Sequence, residues 1–235
     1  MIETFNWDAF LQPYELAISG FILKLESMKK QFIISGVKNP IEMVVGRIKT
    51  PSSIIEKAKR LGVDFRDIPE LIQDIGGIRI TCKYTQDVYS VFDLLTNRKD
   101  IETVLVKDYI KEPKESGYRS LHLIARYNVE TIDGQKPIYI EFQIRTLAMH
   151  LWASIEHSLK YKYYHNIPDN IKQRLQQAAK ITAELDSEMT GIKDEVDRFR
   201  NGNTREEYDF DWGLNNLYRG NLWSIQFLEK KMKLV

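Results

Sequence analysis

Cysteine is almost missing from this chain: Cys82 stands alone among 235 residues. No disulfide can close within the chain, and no paired-cysteine metal site can be built. The apolar series Ile78, Ile80, Cys82 marks the thiol as buried, and a chain without disulfides suits a reducing, cytoplasmic setting. Excess charge is missing too, since 34 Lys and Arg stand against 33 Asp and Glu. The molecule as a whole therefore exerts no pull on nucleic acid or membrane, and any anion site must come from local clustering. No apolar run is long enough to span a bilayer, and the N-terminus lacks the basic–apolar–small order of a signal peptide. GxxxxGK[ST], GxGxxG, HExxH and CxxC pairs are all absent, which sets aside the common nucleotide-loop and zinc classes. The four histidines, His122, His150, His157 and His165, show no strong zinc spacing. There is no repeat and no low-complexity tract.

What is present is 43% hydrophobic residues and 29% charged ones, enough for one sizeable domain with helical extensions. Trp7, Leu11, Tyr14, Ile18, Phe21, Leu25, Met28 and Phe32 recur at spacings of four and three, predicting a first helix with one apolar seam. Pro13 is tolerable near its start or at a kink. A strand is expected over Met43–Ile48, then a helix from Ser52 to Leu61 behind Pro51. A second short helix leads to Asp74, and Ile75-Gly76-Gly77 is read as a turn into a strand, Ile78–Tyr84. Asp87–Asn97 reads as a helix and Thr103–Ile110 as a strand. Ser120–Val129 and Pro137–Arg145 read as strands joined through Asp133-Gly134. Thr146–Tyr164 is expected to be helical.

Pro168 opens a long helix whose series Ile171, Leu175, Ala178, Thr182, Leu185, Met189, Ile192, Val196 and Phe199 suits a coiled-coil-like seam. That seam packs either on its own domain or on another subunit, with nothing in the pattern to choose. The expected architecture is α+β, a mixed sheet of about five strands with helices around it and helical extensions at both ends. Residues 1–200 are read as the functional domain and 201–235 as an aromatic-rich tail.

Four segments carry chemistry. The stretch Glu115–His122 (ESGYRSLH) is followed by Glu141–Thr146 (EFQIRT), where Glu141, Gln143 and Arg145 alternate with Ile140, Phe142 and Ile144. Alternation puts the three polar side chains on one sheet face and the apolar ones on the other. A strand-centre glutamate is costly unless paired or coordinating a cation, so the bland reading is an ion pair with Arg145 or Arg79. In the preceding loop, Tyr118 is read as a free tyrosine suited to stacking on a flat base, with Lys114 near and His122 on the polar side. In the segment Arg47–Arg60, five basic residues (Arg47, Lys49, Lys57, Lys59, Arg60) face one acid, Glu56. Ser53, Lys57 and Arg60 fall at i, i+4 and i+7 on one helical face near an N-terminus, an arrangement able to cradle phosphate. Asp74, before two glycines, is a candidate Mg²⁺ ligand or a self-capping turn residue. Arg79 shares the polar face of its strand.

Taken in order, GRIKTPSSIIEKAKR, DIGGIRI, KESGYRSLHL, EFQIRTLAM and IEHSLKYKY resemble the RelA/SpoT-homologue synthetases, specifically the stand-alone small alarmone synthetases, over roughly residues 5 to 195. The resemblance implies a nucleotidyltransferase-like fold that transfers the β,γ-pyrophosphate of ATP to the ribose 3′-oxygen of GDP or GTP, making (p)ppGpp and AMP. It implies that Arg47 and Arg79 sandwich adenine and that Lys49, Ser53, Lys57 and Arg60 contact the ATP phosphates. Asp74 would hold Mg²⁺, and Glu141 would activate the 3′-hydroxyl with a share in the metal. Tyr118 would stack on guanine, with Lys114, His122 and Gln143 around the acceptor nucleotide. It also implies a ring-like homotetramer without product hydrolysis. The positions matching a pppGpp regulatory cleft are Ile22, Glu26, Met43, Val45 and His150, and an acid there should repel a polyphosphate, so stimulation is expected to be weak or absent.

Two other readings use the same cations. One is a non-catalytic module for single-stranded RNA, although Asp74 and Glu141 would repel its backbone. The other is a nucleotidyltransferase that releases pyrophosphate.

Overall fold

The structure, a computed structural model, describes residues 5–162 and 168–202. Most of the aromatic-rich tail, the last residues of the helix expected to reach Tyr164, and His165 lie outside them. Contacts divide the chain into two compact units, Met1–Lys193 and Asp194–Val235, and the sites below lie in the first.

Helix α1, Trp7–Ile34, starts where the Asn6 side chain accepts from the Ala9 amide at 3.0 Å, supplying one of the unpaired donors of the first turn. Pro13 lies buried in its second turn without ending the helix. The predicted seam turns inward: Leu11, Tyr14, Ile18, Phe21 and Leu25 are all buried. Strand β1, Met43–Ile48, leads into α2, Pro51–Leu61. Proline at the first helical position and the Thr50 hydroxyl accepting from the Ser53 amide fix where α2 begins. A 3₁₀ turn (Phe65–Asp67) and α3, Ile68–Leu71, lead toward Asp74.

Strand β2, Gly76–Cys82, already contains the two glycines read as a turn; they pair with Ile48 and Arg47 on one side and with Ile140 and Glu141 on the other. Helix α4 is Thr85–Thr96 and β3 is Ile101–Asp108. The hairpin of β4, Leu121–Thr131, and β5, Gly134–Thr146, is longer than expected, and its two-residue loop is Ile132-Asp133, since Gly134 pairs with Thr131. Helix α5, Leu147–Lys162, and α6, Asp169–Gly202, follow. Among the described residues no helix is long and apolar enough to cross a membrane.

The five strands are ordered β1-β2-β5-β4-β3, with β2 and β5 parallel and the other pairs antiparallel. This is the mixed α+β sheet the pattern predicts. One face is apolar and closed: Ile78, Ile80, Cys82, Ile140, Phe142, Ile144, Leu121 and Leu123 are nearly inaccessible, together with Val88, Val91 and Leu95 of α4. Phe21 meets Phe142 edge-on at 5.3 Å between centroids. Each such aliphatic or aromatic side chain contributes roughly 1.5–3 kcal/mol by leaving water. A Cβ at Gly46 would overlap the Ile18 side chain, so α1 can cross β1 only because that strand residue is glycine. The Cys82 thiol is inaccessible, and burial, aided by the Asp87 charge, pushes its pKa up to about 12.

The α6 seam divides. Leu175 turns inward against Trp152 and Ala179, whereas Leu185, Met189 and Ile192 of the seam, with Ile181 outside it, are each about half exposed.

Candidate active site

Register assembles the site on the other face of the sheet. Across the strands, Val45, Arg79, Gln143, His122 and Lys107 stand in one row, and Arg47, Gly77, Glu141 and Ile124 stand in the next. Residues directly opposite on neighbouring strands share a face, so residues 47 to 143 meet here although they are far apart in sequence.

At the centre, Glu141 is 8% exposed and pairs with neither arginine. Its Oε1 receives the His122 Nδ1 proton at 3.0 Å, and its Oε2 receives a proton from Gln143 Nε2 at 2.7 Å. Burial works to raise the Glu141 pKa, but the His122 hydrogen bond and charge, with the Gln143 amide, outweigh it and hold the carboxyl below its ordinary range. A carboxylate only accepts, so Nδ1 carries a proton toward Glu141, and Nε2 shares a hydrogen bond with the Tyr118 hydroxyl at 2.8 Å. Burial, ahead of the neighbouring charges, raises the Tyr118 pKa, which keeps that phenol protonated. Tyr118 is thus not a free loop residue. Its ring is edge-on to Tyr109 at 6.0 Å and to His122 at 5.8 Å, and its inner side packs against the Trp152 and Ala179 cluster. Lys114 places its ammonium 4.5 Å from the Tyr109 ring centroid and 4.9 Å from that of Tyr118.

Gln143 accepts from Arg145 through its carbonyl oxygen, completing a chain from Tyr118 through His122, Glu141 and Gln143 to Arg145. Burial lowers the pKa of both Arg145 and Arg79, and in each case another arginine lowers it further. The Nε atoms of Arg79 and Arg145 are buried without a hydrogen-bond partner. Arg47 and Arg79, on adjacent strands, line a small cleft with Val45, Gly77, Ile78 and Gln143.

Beside this cleft, Lys49 and Lys57 converge on one oxygen of Asp74, Oδ2, at 2.6 and 2.8 Å. That is an interaction between segments, not a turn capping itself. Burial works against ionising Asp74, yet the two ammonium groups hold its pKa below the ordinary range. Lys49 is lowered as well, by burial first and then by the crowding of Lys57 and Arg47, which outweigh its contact with Asp74. The other oxygen of Asp74, Oδ1, is buried without a partner. Ser53, whose hydroxyl accepts from Thr50 at 2.9 Å, and Arg60 are exposed on α2.

The structure therefore brings Arg47, Arg79, Tyr118, His122, Glu141 and Gln143 together, with Lys114 over the Tyr118 ring and the Lys49–Lys57–Asp74 cluster near enough for the Asp74 charge to act on Glu141, whereas Ser53 and Arg60 are simply exposed on α2. Two residues were missed. Tyr109 falls just beyond β3, where sequence offers no periodic signal. His150, read only as a regulatory position, sits one turn into α5; burial, then the Arg145 and Arg79 charges, lower its pKa, and its Nδ1 is buried without a partner.

A site of two carboxylates and several cations on a mixed sheet defines a nucleotide-transfer class, and comparison with known proteins makes the class specific. Residues 46–166 match the family described as a region found in RelA/SpoT proteins. The chain belongs to that family. It is 46% identical over 191 residues to the GTP pyrophosphokinase YjbM of Bacillus subtilis (strain 168), covering 81% of this chain and 90% of that relative. The crystal structure of small alarmone synthetase 1 from Bacillus subtilis bound to its product pppGpp aligns with a TM-score of 0.78 at 45% identity, over 81% of this chain and 97% of that one. The same synthetase bound to AMPCPP aligns with a TM-score of 0.73 at 43% identity, over 82% and 98% of the two chains. The fold is thus the one the motifs implied, and the RNA-binding reading gains no support.

Proposed function

We propose that the chain is a GTP pyrophosphokinase, moving the β,γ-diphosphate of ATP to the ribose 3′-oxygen of GDP or GTP to give (p)ppGpp and AMP in stringent-response signalling. One observation carries this reading: Glu141, aligned by His122 and Gln143, lies within electrostatic reach of Asp74 in the Lys49–Lys57–Asp74 cluster, in a chain 46% identical to such an enzyme.

The roles follow from chemistry. Guanine stacks on Tyr118 near Lys114, and His122 and Gln143 border the acceptor. Adenine enters the cleft between Arg47 and Arg79, with the triphosphate drawn to Lys49, Ser53, Lys57 and Arg60. Glu141, held ionised, takes the 3′-hydroxyl proton as the oxygen forms its bond to the β-phosphorus. The bond from that phosphorus to the α-bridging oxygen breaks, and AMP leaves with the electron pair. Positioning and charge neutralisation supply most of the acceleration in such a transfer.

Mg²⁺ fits the donor set. Asp74 offers a buried, unpartnered oxygen, and its charge is felt at Glu141. Mg²⁺ commonly binds through one or two carboxylates and completes its shell with phosphates and water. Asp74 and Glu141 would hold it, and it would neutralise charge on the phosphates. Triphosphate binding would also draw Lys49 and Lys57 off Asp74.

The half-exposed stripe Ile181, Leu185, Met189 and Ile192 supports a homo-oligomer, taken here as a tetramer in the cytoplasm. Residues 1–200 form the synthetase domain of this proposal and 201–235 its tail. Stimulation by pppGpp is expected to be weak or absent, because Glu26 places a carboxylate at the matching position of α1; a several-fold rise in turnover on adding pppGpp would refute this. The deciding experiment is incubation with ATP, GDP and Mg²⁺ followed by nucleotide separation. AMP and ppGpp should form together, whereas free pyrophosphate or no turnover overturns the reading.

A further inference from the structure

The turn that carries Tyr118 is held from the side by α6 through contacts that the proposed chemistry does not use. Gln176 donates from Nε2 to the Glu115 carbonyl at 2.9 Å. Gly117, at φ +87°, lies so close to the helix that a Cβ there would overlap the Ala179 methyl, and the Gln176 backbone comes within 3.9 Å of the same point. Gln176 and Ala179 are three residues apart and so occupy one helical face. Trp152 Nε1 donates to the Leu175 carbonyl at 3.0 Å, which ties α5 to the same turn of α6.

We propose that Gln176 and Ala179 are positioning residues for the acceptor nucleotide, setting the Glu115–Gly117 turn and through it the depth and tilt of the Tyr118 ring. The inference rests on the reading of Tyr118 as the surface on which guanine stacks.

The physical need is plain. Hydrogen bonding of the Tyr118 hydroxyl to His122 anchors only the far end of the ring. The backbone end belongs to a polar turn closed by bonds from the Gly117 amide to the Lys114 carbonyl at 2.7 Å and from the Lys114 amide to the Tyr118 carbonyl at 3.2 Å. Ordering a turn costs conformational entropy, and a ligand that must order it binds more weakly for that reason. The Gln176 hydrogen bond and the Gly117–Ala179 contact order it beforehand. Only glycine satisfies both demands at 117, since any side chain would meet a positive φ and the Ala179 methyl together.

The test uses the full chain and measures GDP and AMPCPP binding separately by calorimetry, with steady-state KM for each substrate and a thermal melt. Gln176→Ala should weaken GDP binding about fivefold, the loss of one neutral hydrogen bond, and leave AMPCPP within about twofold. Gln176→Lys, which keeps a donor, should recover much of the loss. Ala179→Val should weaken GDP binding by about tenfold or more by pushing on Gly117. Gly117→Ala should be worse alone than combined with Ala179→Gly, because removing the opposing methyl relieves the overlap; such non-additivity marks direct contact. Unchanged GDP binding in Gln176→Ala and Ala179→Val overturns the inference, and so does an equal loss for both nucleotides accompanied by a lower melting temperature. A wild-type chain that binds AMPCPP but no guanine nucleotide would instead refute the reading of Tyr118 itself.

Discussion

The two halves of the proposed site, acceptor and donor, are built from different residue types and held in opposite ways. Around Tyr118, His122, Glu141 and Gln143 each polar group has a protein partner, so the constellation is set before any nucleotide arrives. On the donor side, cations outnumber the acid that holds them: Lys49 and Lys57 share one oxygen of Asp74, and Ser53 and Arg60 face solvent. In the proposed reaction the acceptor half is preorganised for proton removal. The donor half would meet the triphosphate with its ammonium groups, which its own carboxylate now partly neutralises. Proton transfer demands accuracy within hydrogen-bond reach, whereas phosphate recognition tolerates mobile ammonium groups acting as point charges.

Substitutions can break this contrast. The largest effect is expected for Glu141→Gln, which removes the base: turnover should fall about 10²–10⁴-fold with AMPCPP affinity retained, and preserved turnover would refute its role. The wild-type pH–rate profile should agree. Because the Glu141 pKa is depressed, the carboxylate is charged above its ordinary range and stays so until pH falls through the lower folded value; no acid limb from Glu141 is expected between about pH 5 and 8.

Next is Tyr118→Ala, which should cost about 1–3 kcal/mol of guanine binding, read as a rise in KM for GDP with KM for ATP little changed. A matching rise for ATP would mean that the two halves are not separable. For Asp74→Asn on the donor side, metal-free ATP should bind more tightly, by about 1 kcal/mol of relieved repulsion, while Mg²⁺-dependent turnover drops; titrating ATP with and without Mg²⁺ reads both. The smallest effect belongs to Arg60→Ala, where an exposed cation should contribute no more than about 1 kcal/mol to ATP affinity, diminishing with added salt.

Strand alternation in EFQIRT was legible and correct, placing Glu141, Gln143 and Arg145 on one face. The α1 seam and the start of α2 at Pro51 were equally readable, because periodicity and the proline signal are local. Partners were not. The ion pair with Arg145 or Arg79, the bland reading of Glu141, does not form; His122 takes that place, and it reaches Glu141 because β4 pairs with β5 in a register that sets His122 against Gln143, two residues along on the same face. Likewise Tyr118 looked free because nothing in the loop announces that α6, some 60 residues later, lies on it. Gly76 and Gly77 resembled a turn, since glycine's usual use is conformational; here they pair within the sheet.

The sequence by itself determined which residues face a core and which face outward, where helices begin, and which family the motifs indicate, since these depend on spacing along one segment. Tertiary structure alone decided which charges meet: Lys49 and Lys57 with Asp74, His122 with Glu141, and the bare half of the α6 seam. Strand order, register and the crossing of helices bring distant residues within hydrogen-bond reach, and no local periodicity encodes those distances.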